Sequence, residues 1–379
     1  MKIKKHLSLL SGALLTFAVM SLASGTAFAA GQNCTWTGLG ADANFSTTGN
    51  WSGCGGTAPG NGDNLIFPGS AARQTNNNDL SGRTFANILF NGTVASGYNI
   101  SGNAFTLTGG ITDNSSGNAG NTIDTSITMT GDQTITGTHS STGGVNLIIG
   151  NTLSARTLTL SSGTLTITGS PSVDIDSALA GSGNIVLTNA AVGFTRAASG
   201  FTGSTTITGT SFVTIFEDTL TALGSGHITV GSGSTLSLVS NQNAVTMPNA
   251  FTLSGTGFGT GTLGAISAGL GSCPGGTCSS SAQLTLSGSV ALAANSSVSA
   301  SGSRIVLSGA YTPNGFTLTA INNTTLVLPT AAATTTPKAP NTGLGAIQSN
   351  PLVTLAATTF GAVVLGAIAF RFRKSPAKR

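Results

Sequence analysis

Few side chains in this chain are equipped for chemistry; of its two close acidic groupings, Glu217-Asp218 and Asp174-Ile175-Asp176, the second has the better spacing. Carboxylates two positions apart on an extended strand share one face, so this pair has the layout of a general acid and base, or of part of a Ca²⁺ ligand set. The plainer reading is two solvated carboxylates at a strand edge. Glu217-Asp218 point to opposite faces if extended, which makes them a poorer pair. A serine or threonine nucleophile needs a histidine base oriented by a third group. Neither His139 nor His227 lies in such a motif, and His227, in Gly226-His227-Ile228, reads as an exposed turn-to-strand residue. The many Gly-x-Gly pieces lack the strand-to-helix setting that phosphate binding requires. The expectation is no catalytic, cofactor-binding or metal site.

The four cysteines pair by proximity, Cys34 with Cys54 and Cys273 with Cys278. A Cys34–Cys54 bridge would close a loop around Trp36 and Trp51 and stabilise it by roughly 3 kcal/mol. Cys273-Pro274-Gly275-Gly276-Thr277-Cys278 would be a small stapled loop. Metal binding is the rival reading, but no histidine lies near either pair and the spacing is not that of a zinc motif.

The elements that must position these residues are short strands. Phe105-Thr106-Leu107-Thr108, Thr157-Leu158-Thr159-Leu160, Thr164-Leu165-Thr166-Ile167-Thr168 and Gln283-Leu284-Thr285-Leu286 alternate apolar and hydroxyl or amide side chains with period 2. One face packs inward; the other, rich in β-branched threonine, meets water. No helical periodicity appears between the two ends of the chain. Sandwiches and a parallel solenoid both fit such strands, and the turn chemistry favours the solenoid. Connections are Gly/Ser/Asn pieces of irregular length, and tight Asn-Gly hairpins are rare, Asn91-Gly92 being the best case. With 17 Phe, 2 Trp and 2 Tyr, a narrow aliphatic tube suits the composition better than a wide core. At about 22 residues per rung, residues 80 to 330 would make roughly 11 rungs. The predicted fold is an all-β, right-handed parallel β-helix over 80–328, preceded by a disulfide-bonded cap over 31–79.

Both ends of the chain read as addresses. Lys2, Lys4 and Lys5, an apolar core from Leu7 to Leu22, and Ala27-Phe28-Ala29 form a secretory signal peptide over 1–30. A retained N-terminal anchor is the alternative. At the other end an uncharged apolar run opens at Leu352 and closes at Phe370, long enough for one membrane-spanning helix. Arg371, Arg373, Lys374, Lys378 and Arg379 follow it, so that end stays in the cytoplasm and the middle lies outside. Between rod and anchor, 329–338 is a Pro/Thr/Ala spacer.

The formal charge of +4 belongs to these ends. Without the three lysines of the leader and the five basic residues of the tail, six Lys/Arg face ten Asp/Glu. A nucleic-acid role therefore lacks the basic face that it requires.

Ala339-Pro340-Asn341-Thr342-Gly343, the apolar span and the basic tail together resemble the cell-wall sorting signal of sortase-processed surface proteins, whose usual pentapeptide is L-P-x-T-G. The resemblance implies that Thr342 is the acyl donor, that Gly343 leaves with the helix, and that a cell-wall amine takes the Thr342 carbonyl. Ala339 stands where the family has Leu. An uncleaved single-pass anchor is the other outcome, and either way the chain is tethered at the extracellular face. A second resemblance lies in Thr202-Gly203-Ser204-Thr205-Thr206-Ile207-Thr208-Gly209 and Leu223-Gly224-Ser225-Gly226-His227-Ile228-Thr229-Val230, which are similar to the autotransporter-associated β-strand repeat. Trp36-Thr37-Gly38, Asn50-Trp51 and Gly62-Asp63 are similar to the segment at the N-terminal end of such passenger domains. That family implies a right-handed parallel β-helix. Its outer-membrane barrel has no counterpart here, so only the fold carries over.

The expected product is a non-enzymatic, surface-anchored β-helical adhesin or structural component. Its partners would be a sortase and cell-wall acceptor, the membrane through Leu352 to Phe370, and a surface glycan or protein ligand. The alternative is a carbohydrate-active β-helix, a polysaccharide lyase or glycosidase using Asp174 and Asp176.

Overall fold

A computed structural model describes residues 31–94, 97–117, 120–138, 146–169, 172–271 and 282–329. The leader over 1–30, His139, the Cys273–Cys278 loop, the sorting signal from Ala339 to Gly343 and the apolar run from Leu352 to Phe370 lie outside the described residues.

The chain winds as a parallel β-solenoid of about ten turns. Three strand files run along it, and alternation sorts every strand into an inward and an outward row. On the first face one inward ladder runs Leu65, Ile88, Ile111, Ile135, Ile167, Leu187, Ile207, Val230, Leu253, Leu292, each in register with the next. On the second face Ile100, Ile123, Ile149, Ile175, Phe194, Ile215 and Leu238 form the matching ladder. The third face holds Ile127–Met129, Thr157–Leu160 and Ala178–Gly181, and resumes with Ala244–Met247, Gln283–Leu286, Arg304–Leu307 and Thr325–Val327. These aliphatic ladders are buried and constitute the core. A stack of this kind needs no wide interior, because each rung covers the one beneath it.

The turn chemistry agrees with this winding. Asn91-Gly92, the best hairpin candidate in the sequence, lies within the strand Arg83–Thr93, where Asn91 pairs in parallel with Asn114 and Gly92 with Ser115. Gly92 takes φ +84 there, a left-handed value natural to glycine.

Parallel pairing begins early, for Asn33–Trp36 already lies alongside Asn64–Pro68. Its other edge is closed by Trp51–Ser52, which pairs antiparallel. Trp36, Phe45, Trp51 and Phe67 pack in a cluster, with the Trp36 and Trp51 rings 5.0 Å apart and Phe45 5.0 Å from Trp51. The Cys34–Cys54 disulfide is present, with Cα atoms 4.8 Å apart. Asn50 is fully buried; its Oδ1 accepts from Gly40 N, and its Nδ2 donates to Asp42 O and Asn44 O. Asp63 accepts from the backbone amides of Gln32 and Gly60. The W-T-G, N-W and G-D residues are thus the stitching of a cap that shields the first rung from end-to-end pairing. Among the described residues, no helix is long and apolar enough to cross a membrane.

Candidate functional site

Asp174 and Asp176 lie on Ser172–Asp176 of the second face, whose inward residues Val173 and Ile175 are locked into the core. Both carboxylates point outward on one face, as the spacing predicts. The expectation of a solvated edge does not hold, since each is only 9% exposed. The register explains the burial. Asp174 pairs with Ile148 on the rung before and with Gly193 on the rung after, and Asp176 pairs with Gly150. A Cβ added to Gly193 would sit 2.4 Å from Asp174 Oδ1 and 3.9 Å from the Phe216 ring, so the carboxylate occupies the space a side chain would need.

Past the strand Ala191–Phe194, Thr195 Oγ1 donates to Asp176 Oδ1 at 2.5 Å. Arg196 Nη2 donates to the carbonyls of Asn151 and Thr152, at 2.8 and 2.5 Å. The same corner holds the Arg156–Asp124 ion pair, 2.8 Å between Nε and Oδ1, and Asn151 Nδ2 donates to Asp124 Oδ2. Asp176 is therefore tied through Thr195 into a corner whose contacts join one turn of the solenoid to the next, while Asp174 is covered by the packing of Gly193 against it.

Burial, and secondarily the negative charge of Asp176, pushes Asp174 up to about 7. Burial also raises Asp176, against the Thr195 hydroxyl and the Arg196 guanidinium, which both favour its ionised form. Burial thus favours the protonated form of both carboxylates, and only Asp176 has neighbours, Thr195 and Arg196, that oppose it; unequal surroundings of this kind are what an acid/base pair requires. Two hollows among the described residues lie away from the pair. One of about 390 Å³ is lined by Pro68, Gly69, Ser70, Asn91, Gly92 and Thr93, and one of about 260 Å³ includes Thr35, Trp36, Leu39 and Ala71.

The remaining candidates are accounted for locally. Glu217 accepts from Thr219 Oγ1 and from Thr221 N, and Asp218 Oδ1 accepts from Asn241 N, so both carboxylates brace turns. His227 is exposed, as the sequence suggests, with Nε2 3.0 Å from Thr252 Oγ1 on the next rung. Among the described residues, no group of three or more His, Cys, Asp or Glu could hold a metal ion. One interior carboxylate escaped the sequence reading: Asp113, fully buried, accepts from Ser115 N and Oγ and from Asn121 Nδ2. It occupies the inward row directly after Phe67 and Phe90. Its period-2 position would have placed it inside, but a lone Asp between Thr and Asn carries no apolar signal.

The outward row of the first face is the other organised feature. Asn33 Oδ1 accepts from Asn64 Nδ2, and Asn64 Oδ1 from Asn87 Nδ2, at 2.9 and 2.8 Å. The file continues through Gly110, Thr134, Thr166, Val186, Thr206, Thr229, Thr252, Ala291 and Thr312, each paired with the next. Two residues along the strands runs a second file, Thr112 with Thr136, then Thr168 with Thr188 and Thr208. The Thr188 and Thr208 hydroxyls lie 3.0 Å apart. No family model, curated protein or solved structure matches this chain.

Proposed function

We propose that this chain is an exported rod, tethered at the extracellular face of a cell, which presents its hydroxyl-lined first face as a contact surface and acts as an adhesin or structural surface component rather than as an enzyme. The observation that carries this reading is the outward file from Asn33 to Thr312, an uncharged row of mostly amide and hydroxyl side chains, interrupted only at Gly110, Val186 and Ala291, that runs along the solenoid. A rigid, pre-ordered surface loses little conformational entropy when it binds. The order of leader, rod, spacer, Ala339-Pro340-Asn341-Thr342-Gly343, apolar run and basic tail supports export and tethering. The test uses cells producing the full chain: protease shaving should release solenoid peptides, and mass spectrometry of the wall fraction should find a C-terminus ending at Thr342 joined to a wall fragment. Solenoid peptides resistant to shaving on intact cells would sink the surface reading.

A second reading rests on one specific observation, the paired outward carboxylates with Asp174 titrating near neutrality. In that reading the protein is a polysaccharide lyase or glycosidase in which protonated Asp174 is the general acid and Asp176 the base. It requires turnover of a polysaccharide that disappears in both Asp174→Asn and Asp176→Asn. Turnover unaffected by either change would remove the pair from consideration.

A further inference from the structure

We propose that the first face binds ice, its two threonine files acting as a template for an ordered water lattice. This deepens, and rests on, the reading of that face as the contact surface.

The geometry is two-dimensional. From Gln133 to Leu253 the first-face strands follow one another without a register shift. Successive strands of a sheet lie about 4.8 Å apart, and residues i and i+2 of one strand about 6.7 Å apart. Thr134 and Thr136, Thr166 and Thr168, and Thr206 and Thr208 each place two threonines two apart on a rung, and Val186 with Thr188 fills the rung between. Oxygen rows on a prism face of ice repeat along two perpendicular directions at spacings near these, with the nearer match between rungs and a somewhat longer repeat along the strand. Hydroxyls arrayed at those repeats can sit in lattice positions, and the methyl groups beside them order the water above through apolar hydration.

The side chains suit the task. Threonine is β-branched and stiff at χ1, and close packing within the file restrains it further, as the Thr188–Thr208 hydroxyl contact shows. The lattice is therefore held in place before anything binds.

Charge complementarity selects the occupant. Neither file contains an ionisable side chain, which matches a neutral lattice and offers nothing to an anionic polysaccharide or lipid headgroup. Neither file contains an aromatic ring on which a neutral sugar could stack. Ice outside the cell also reaches an exported rod first.

The test grows a single ice crystal in a solution of purified full chain and reads faceting and thermal hysteresis. Faceted crystals and measurable hysteresis are expected, and both should be lost in the Thr166→Tyr/Thr206→Tyr double variant. The milder Thr166→Val/Thr206→Val variant, which keeps the methyl groups, should lose part of the hysteresis. Thr159→Tyr, on the outward row of the third face, should behave as the unsubstituted chain, and circular dichroism of every variant checks that the solenoid persists. Rounded crystals with the folded unsubstituted chain overturn the proposal, as does hysteresis indifferent to the Thr166 and Thr206 changes. Self-association abolished by the same changes, without hysteresis, also overturns it and makes a second copy the occupant. Labelling of intact cells reads the surface placement separately: a labelled chain without action on ice sinks the lattice alone, whereas an unlabelled chain sinks the surface reading.

Discussion

Gly193 stands one rung beyond Asp174, in register with it, and the Asp174 carboxylate fills the space that a Gly193 side chain would take, with an added Cβ only 2.4 Å from Oδ1. The burial of one residue depends on the smallness of the other. Gly193→Ala should cost about 1–3 kcal/mol through overpacking, since the pleat leaves the carboxylate little room to retreat. Chemical denaturation of the variant beside Gly193→Ala/Asp174→Ala checks it. The double variant should recover part of the loss, and additive losses would refute the contact.

Stability should fall as pH rises. Asp174 has its ordinary value of 3.8 in the unfolded chain and about 7 in the folded one, so between these values the native state holds a proton that the unfolded state has lost. Its contribution is fully present below pH 4, declines as pH approaches 7 and is absent above, a change on the order of 4 kcal/mol. Burial shifts Asp176 in the same direction. Asp174→Asn mimics the protonated form and should flatten the profile across this window. Denaturant midpoints measured from pH 4 to 8 would show it, and an unchanged slope in the variant would be the contrary result.

Both tryptophans of the chain, Trp36 and Trp51, sit in the N-terminal cap beside the Cys34–Cys54 bridge. Tryptophan fluorescence therefore reports the cap alone, while circular dichroism reports the ladder. Cys34→Ser/Cys54→Ser should cost the cap about 3 kcal/mol and move the fluorescence transition to lower denaturant, ahead of the loss of β signal. Coincident transitions before and after the substitution would show that cap and solenoid unfold as one unit.

Inward and outward neighbours should differ sharply in what their removal costs. Ile207 is fully buried between Leu187 and Val230, whereas Thr206 beside it faces outward. Ile207→Ala should lose about 2–5 kcal/mol, and Thr206→Ala should stay within about 0.5 kcal/mol. Equal losses would contradict the alternation on which the ladder rests.

Much of this architecture is written locally. Thr164-Leu165-Thr166-Ile167-Thr168 declares its period, its inward pair and its outward hydroxyls without reference to any other segment, because strand alternation is a property of consecutive residues. The Cys34–Cys54 pairing and the common outward face of Asp174 and Asp176 follow from short separations in the same way. The environment of that pair does not. It depends on Gly193, nearly twenty positions on, arriving directly beside Asp174, and on Thr195 and Arg196 closing the corner. Those meetings are set by rung lengths that vary along the chain: Ile135 pairs with a residue 32 positions later and Ile167 with one 20 later. Composition cannot supply such offsets.

Strand type, the inward and outward rows and the disulfide of the cap are thus local properties of the chain, since each is a near-neighbour effect of side-chain shape and spacing. The tertiary structure alone decided that Asp174 and Asp176 are enclosed rather than solvated and that the threonines line up as files. Both results depend on which rung stacks on which, a long-range register that emerges only when loops of unequal length bring distant strands into contact.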